Sequence, residues 1–405
     1  MTHISKLPDV GTTIFTVMSQ LATDHGAINL GQGFPDFDPD TRLVEAVTKA
    51  MKDGHNQYPP MAGVLSLREQ VCRKIQDLYG HSYDPVSEIT ITSGASEALM
   101  ASLLALVHPG DEVIVIEPFY DLYIPSIRLA GGTPVIVPMD APNQDTSIDT
   151  KQSALNNEID DDRTYRIDWQ KVRNAITNKT RMIVLNFPHN PTGINLRESD
   201  LDALEKIVVD TGVLILSDEV YEHIVFRGQK HLSMCVRPTL AEKSIVISSF
   251  GKTYHVTGWK VGYCCAPSPL MAEIRKLHQF MVFTVTSPMQ VALANFMEDP
   301  EPYLQLAAFY EAKHDRLYQG LQNTKLIPVP SEGTFFLLAR YDHLSDMSEA
   351  EFSRWLTFEK GVGVIPVSAF YQNPDARESN HGLIRFCFAK QDHTLDEAIK
   401  RLMTL

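Results

Sequence analysis

Between residues 85 and 265 the chain repeats one pattern, and that pattern limits the fold more than any other feature. Short apolar runs of strand length end on small or polar residues, with helical stretches between them. The runs cover residues 88–92, 112–116, 182–185, 213–216, 245–247 and 261–266. Apolar runs without alternation suit strands buried on both faces, as in a parallel sheet covered by helices. Strand–helix alternation of this kind gives an α/β architecture. After about residue 290 the pattern changes to a run of helices and then strands, at 334–338 and 383–388. We therefore expect an α/β protein with a large domain over 45–290. A smaller α+β domain would combine 291–405 with part of an N-terminal arm, 1–44. The ligand would lie between them.

Bulk properties exclude several function classes. The 405 residues are 44% hydrophobic and 21% charged, enough for a substantial core. A formal charge of −14 argues against nucleic acid and anionic membranes as partners. No apolar run approaches the ~20 residues of a membrane span. The N-terminus lacks a basic segment followed by an apolar core, so no signal peptide is expected. The five cysteines are scattered, and no two form a Cys-x-x-Cys pair. Reduced thiols in a cytoplasmic protein are the expectation, with no metal site.

The chemistry centres on residues 244–267, SIVISSFGKTYHVTGWKVGYCCAP. Lys252 follows an apolar run and sits among small residues. Partial desolvation there favours the neutral amine, a nucleophile toward carbonyl carbon and so a site for a Schiff base. The alternative is a surface lysine in a tight turn. A phosphate loop is excluded, because Val246 stands where its first glycine is required.

Other stretches offer partners. Gly94, Ala95 and Ser96 lie between a strand-like run and a helical one, which puts free N–H groups at an anion-binding helix N-terminus. Ser96 with Glu97 could equally serve only to start that helix. Asn190 belongs to an Asn-Pro-Thr-Gly turn after a strand, where open α/β sheets bind ligands. Asp218 ends a buried run and requires a cation or a polar site; starting a helix or pairing with arginine are its alternatives. Tyr221 reaches the same place if a helical turn begins there. Arg385 lies in an otherwise apolar strand, usually the mark of a salt bridge. Gly31 and Gly33 let backbone approach a ligand closely. Phe15 and Met18 line a pocket or simply pack. A helix is expected over 41–51, with Leu43, Val44, Val47 and Met51 on one face.

The segment SSFGKTYHVTGWKVGY resembles the lysine segment of the class I aminotransferases, fold type I enzymes that use pyridoxal 5′-phosphate. The resemblance runs from GQGFPDF at Gly31 to LIRFCFA at Leu383, with motifs in the family's order, and is nearest the methionine/kynurenine-type subgroup. It implies a seven-stranded, mainly parallel sheet. It implies that Lys252 bonds the cofactor and moves the substrate proton, and that Asp218 pairs with the pyridine nitrogen. Asn190 and Tyr221 would reach the ring oxygen. Tyr120, rather than Phe119, would stack on the ring. Gly94, Ala95, Ser96, Ser249 and Lys260 would hold the phosphate, helped by Tyr58 of a neighbouring subunit in a homodimer with shared active sites. Gly33, Asn190 and Arg385 would hold the substrate carboxylate. Many family members carry arginine where Lys260 stands; lysine keeps the charge and loses the bidentate fork. Residues 141–163 depart from the family and read as an inserted polar loop.

The activity implied is amino-group transfer from an amino acid to a 2-oxo acid. Phe15, Tyr58 and Phe370 suggest an apolar or aromatic donor such as methionine or kynurenine, and no second arginine motif awaits a side-chain carboxylate. The alternatives are a β-lyase of cysteine S-conjugates and a non-catalytic ligand-binding protein on the same fold.

Overall fold

The computed structural model describes residues 4–142 and 163–405. The expected loop over 141–163 therefore falls, apart from 141, 142 and 163, outside the described residues. The first eight strands are β1 (Ile28–Asn29), β2 (Ile89–Thr92), β3 (Glu112–Glu117), β4 (Thr133–Pro138), β5 (Thr180–Asn186), β6 (Leu214–Asp218), β7 (Ser244–Ser249) and β8 (Gly262–Cys265). Then follow β9 (Ile327–Pro328), β10 (Phe336–Arg340), β11 (Val362–Gly363), β12 (Ile365–Pro366) and β13 (Leu383–Cys387).

Seven strands form one sheet in the order β2-β8-β7-β6-β5-β3-β4. Its pairs are parallel except those of β8, which runs antiparallel to β2 and β7. Helices on both faces bury the strands, and the period of two sorts side chains between the faces. Ile183, Ile215 and Val246 pack on one side, in a cluster with Leu67, Val71, Ile75, Leu201 and Leu204. Met182, Val184, Leu216, Ile245 and Ile247 pack on the other, against Leu99, Leu103, Met271 and Ile274. Edge strand β4 was not among the expected runs, because prolines punctuate its TPVIVP stretch.

The helix over 41–51 is present as Thr41–Lys52, capped by the Asp40 side chain, which accepts from the Arg42 N–H at 2.8 Å. Its buried stripe is Leu43, Val47 and Ala50, whereas Val44 and Met51 are 44% and 46% exposed. Each of those two sits roughly 100° around the helix from a stripe residue, outside the packed face.

A second, four-stranded sheet has the order β12-β13-β10-β9, and all its pairs are antiparallel. Helices Leu306–Gln322, Glu349–Lys360 and Asp392–Leu402 cover it with Leu317, Phe352, Leu356 and Leu395. β1 pairs in parallel with β11, so residues 28–29 join this C-terminal layer. β13 is buried along its whole length, which leaves Arg385 1% exposed. All five cysteines are free. Among the described residues no helix is long and apolar enough to cross a membrane.

Candidate active site

The carboxyl ends of β5, β6 and β7 lie side by side, with Asn186 opposite Asp218 and Asp218 opposite Ile247. Beyond them opens a cavity of about 310 Å³. Its lining includes Gly33, Gly94, Ala95, Ser96, Tyr120, Asn190, Asp218, Tyr221, Ser249, Lys252, Lys260 and Arg385. Chain positions from 33 to 385 thus meet at one place. Of the residues expected to hold the cofactor or the substrate carboxylate, Tyr58 alone is absent from it. Tyr58 is 83% exposed and touches Phe283 edge-on at 5.5 Å between ring centres.

Lys252 sits on the short helix Phe250–Thr253, whose N-cap Ser249 accepts from the Gly251 N–H at 3.2 Å. Its Nζ donates to the Gly33 carbonyl at 3.0 Å. The side chain opens onto the cavity and is otherwise enclosed by protein. Burial pulls its amine down to about 8; Arg385 and Lys260 act in the same direction, and Asp218 opposes them. This is a cavity lysine, so the surface-turn alternative falls.

Asp218 is 4% exposed. Its Oδ2 accepts from the Tyr123 hydroxyl at 2.7 Å. Burial pushes the carboxyl up to about 6, against the opposing pull of Tyr123, the Val220 N–H and Lys252. A buried carboxylate raised in this way is short of positive charge. Tyr123 was missed by the sequence reading. The available signal was its place three residues after Tyr120, which puts both aromatics near one short helix, Tyr123–Leu129.

Tyr221 lies in a hydrogen-bonded turn in which the Glu222 N–H donates to the Glu219 carbonyl at 2.9 Å; residues 220–223 form turns and no helix, and the ring still lines the cavity. Its ring stands edge-on to Phe335, 5.1 Å between centres. Tyr120 lines the cavity, and Phe119 does not.

Arg385 donates from Nη1 to Asn190 Oδ1 at 2.6 Å and from Nη2 to the Gly31 carbonyl at 3.0 Å. Among the described residues its buried Nε has no hydrogen-bond partner. The guanidinium lies 3.8 Å from the Phe336 ring centre, 4.7 Å from Phe370 and 5.3 Å from Phe15. Burial lowers its pKa to about 10. Among the described residues it forms no salt bridge, so the ordinary reading of a strand arginine does not apply.

Helix Gly94–Leu106 presents its N-terminus to the same cavity. The Ser93 N–H is taken by Glu97 Oε2 at 3.1 Å, while the first N–H groups of a helix have no partner within it. Gly94 has φ +69°, and a Cβ there would come within 3.3 Å of Lys260 Nζ. Lys260 Nζ stands 3.5 Å from Ser96 Oγ. This cluster suits an anion with several oxygens. Trp259 is half-buried against the core.

The sequence of residues 25–402 matches the family model for aminotransferases of class I and II. The chain belongs to that family. It is 46% identical to the methionine aminotransferase of Escherichia coli, over 99% of this chain and 98% of that one. It is 35% identical to the human kynurenine–oxoglutarate transaminase 3, over 98% of this chain and 89% of that one. A solved Escherichia coli structure reported with a methionine aminotransferase function superimposes with a TM-score of 0.92 at 45% identity, covering all of both chains. This aminotransferase accordingly has the fold type I architecture, and its family works with pyridoxal phosphate.

Proposed function

We propose that this enzyme moves the amino group of an apolar or aromatic amino acid, methionine or kynurenine among them, to a 2-oxo acid with pyridoxal 5′-phosphate bound in the cavity. The observation that carries this is the meeting of a neutralisable amine, a charge-starved carboxylate and an arginine with an unpartnered donor. The residues present fit the cofactor. Gly94, Ala95, Ser96, Ser249 and Lys260 would hold its phosphate, and Tyr120 would lie against its ring. Asp218 would balance positive charge on the ring nitrogen. Asn190 and Tyr221 would donate to the ring oxygen.

When bound, the cofactor supplies an electron sink for negative charge at the substrate Cα. The chain does the rest. Lys252 would hold the cofactor, and its amine, pulled down to about 8 and so partly neutral at working pH, would take the proton from the substrate Cα. Arg385 offers Nε and its fork to the substrate carboxylate, beside Gly33 and Asn190. Phe15, Phe34, Val220 and Phe336 also line the cavity, beside Gln32, Asn186 and Thr257, and offer apolar surface to a side chain. Among the described residues the lining cations are Lys252, Lys260 and Arg385, each already assigned, which leaves none of them for a side-chain carboxylate. The relatives named for methionine and kynurenine support the same substrate class. A cytoplasmic homodimer, with Tyr58 reaching the phosphate of its neighbour, completes the reading.

Replacing Lys252 with Ala tests the proposal. The variant should lose the visible absorption of the bound cofactor and fall at least a thousandfold in turnover of methionine. Retained steady turnover would refute it.

A further inference from the structure

Glu349 is a fully buried carboxylate that no step above uses. It is the first residue of helix Glu349–Lys360, yet it does not cap that helix. Ser348 and Glu351 do so reciprocally, with the Ser348 N–H donating to Glu351 Oε2 at 2.9 Å. Glu349 reaches outward instead. Its Oε1 accepts the backbone N–H groups of His381 and Leu383, each at 2.9 Å, and its Oε2 accepts the N–H of Ser368.

Two of these amides belong to elements that meet at Arg385, and the third, that of His381, lies two residues before one of them. Leu383 opens β13, two residues before the arginine. Ser368 lies in the 3₁₀ turn Val367–Phe370, whose last ring sits 4.7 Å from the guanidinium. The Phe370 carbonyl in turn accepts from the Phe119 N–H at 2.8 Å, next to Tyr120. We propose that Glu349 is a positioning residue for the carboxylate grip: one buried anion fixes the strand carrying Arg385 and the turn carrying Phe370 in mutual register. The inference rests on the reading of Arg385 as the substrate-carboxylate site.

The charge state of Glu349 then matters. Burial pushes its carboxyl up to about 7, against the three amide donors. A proton there points an O–H at a backbone N–H and costs a hydrogen bond. The groups facing it are Tyr341, Tyr165 and Tyr371, the last two with hydroxyls 3.2 Å from each other, and the Ser368 side chain. Arg340 lies beyond, donating to Asp342 at 2.9 Å and to the His381 carbonyl at 3.3 Å. The grip is tight above pH 7 and loosens as pH falls through it.

The test is steady-state kinetics of the holoenzyme with methionine between pH 6 and 8.5, for the natural protein, E349Q, E349D and R385K. E349Q has the shape of the protonated side chain. It should raise KM roughly tenfold at pH 8 with kcat within about twofold and the cofactor absorption unchanged. The natural protein should show a rise in KM below pH 7, and that rise should vanish in E349Q. Lower thermal stability with unchanged KM and pH profile would overturn the proposal. If E349Q does not fold, E349D decides: an inflection displaced from that of the natural protein supports the role, and an inflection absent or unmoved refutes it. R385K separates the two readings. If it leaves KM unchanged, the assignment of Arg385 fails; if it raises KM while E349Q does not, only the Glu349 inference fails.

Discussion

At the residue scale, Asp218 shows how a carboxylate is kept ready for a positive ligand. Burial alone would favour its neutral form, and the Tyr123 hydroxyl at 2.7 Å pulls the other way. Removing that donor should raise the Asp218 pKa further and leave less negative charge at neutral pH. A hydrogen bond to a charged group contributes about 1.5–3 kcal/mol. Tyr123→Phe should therefore lower kcat/KM roughly tenfold or more and weaken cofactor retention, as read by steady-state kinetics and by absorbance after dialysis. Kinetics equal to the natural protein's would show that Asp218 does not depend on Tyr123. Asp218 and Arg385 were legible in the sequence because each places a charged residue in an apolar run, and Lys252 because the segment around it resembles the family's lysine segment. Tyr123 was not, because its partner lies 95 residues away and only packing brings them together.

At the element scale, the junction between β8 and the N-terminus of helix Gly94–Leu106 sets the shape of the anion cluster. A Cβ on Gly262 would lie 2.8 Å from both the Ala95 nitrogen and the Ser248 carbonyl oxygen. Both are backbone atoms, so neither yields by a side-chain rotation. Gly262→Ala should force the helix terminus away from Lys260, lowering thermal stability and cofactor affinity together. Leu201→Ala is the comparator: it removes fully buried volume on the opposite face of the sheet. That change should cost about 2–5 kcal/mol of stability and leave cofactor retention untouched. Equal retention in the two variants would show that the junction does not shape the site. The apolar runs announced most of these strands. Their order in the sheet, and the reversal of β8, were not readable from local pattern, because pairing partners are chosen by packing between distant segments.

At the scale of the whole molecule, Tyr58, Phe280 and Phe283 are exposed on one chain. Large apolar side chains gathered outside the core mark a surface awaiting a partner, which agrees with the proposed homodimer. Hybrids of Lys252→Ala and Tyr58→Phe chains provide a check. If Tyr58 serves the neighbouring site, each hybrid holds one fully intact site, and the mixture should exceed the mean activity of its parents. Activity equal to that mean would confine each site to one chain. The sequence by itself determined the α/β class and the order of the motifs around Lys252, since burial period, turn chemistry and residue type are local properties. Only the tertiary structure decided that Tyr123 holds Asp218, that Glu349 binds the Arg385 strand to the Phe370 turn, and that Tyr58 lies outside its own cavity. Those relations join residues far apart in the chain, and their geometry exists only once the layers have packed.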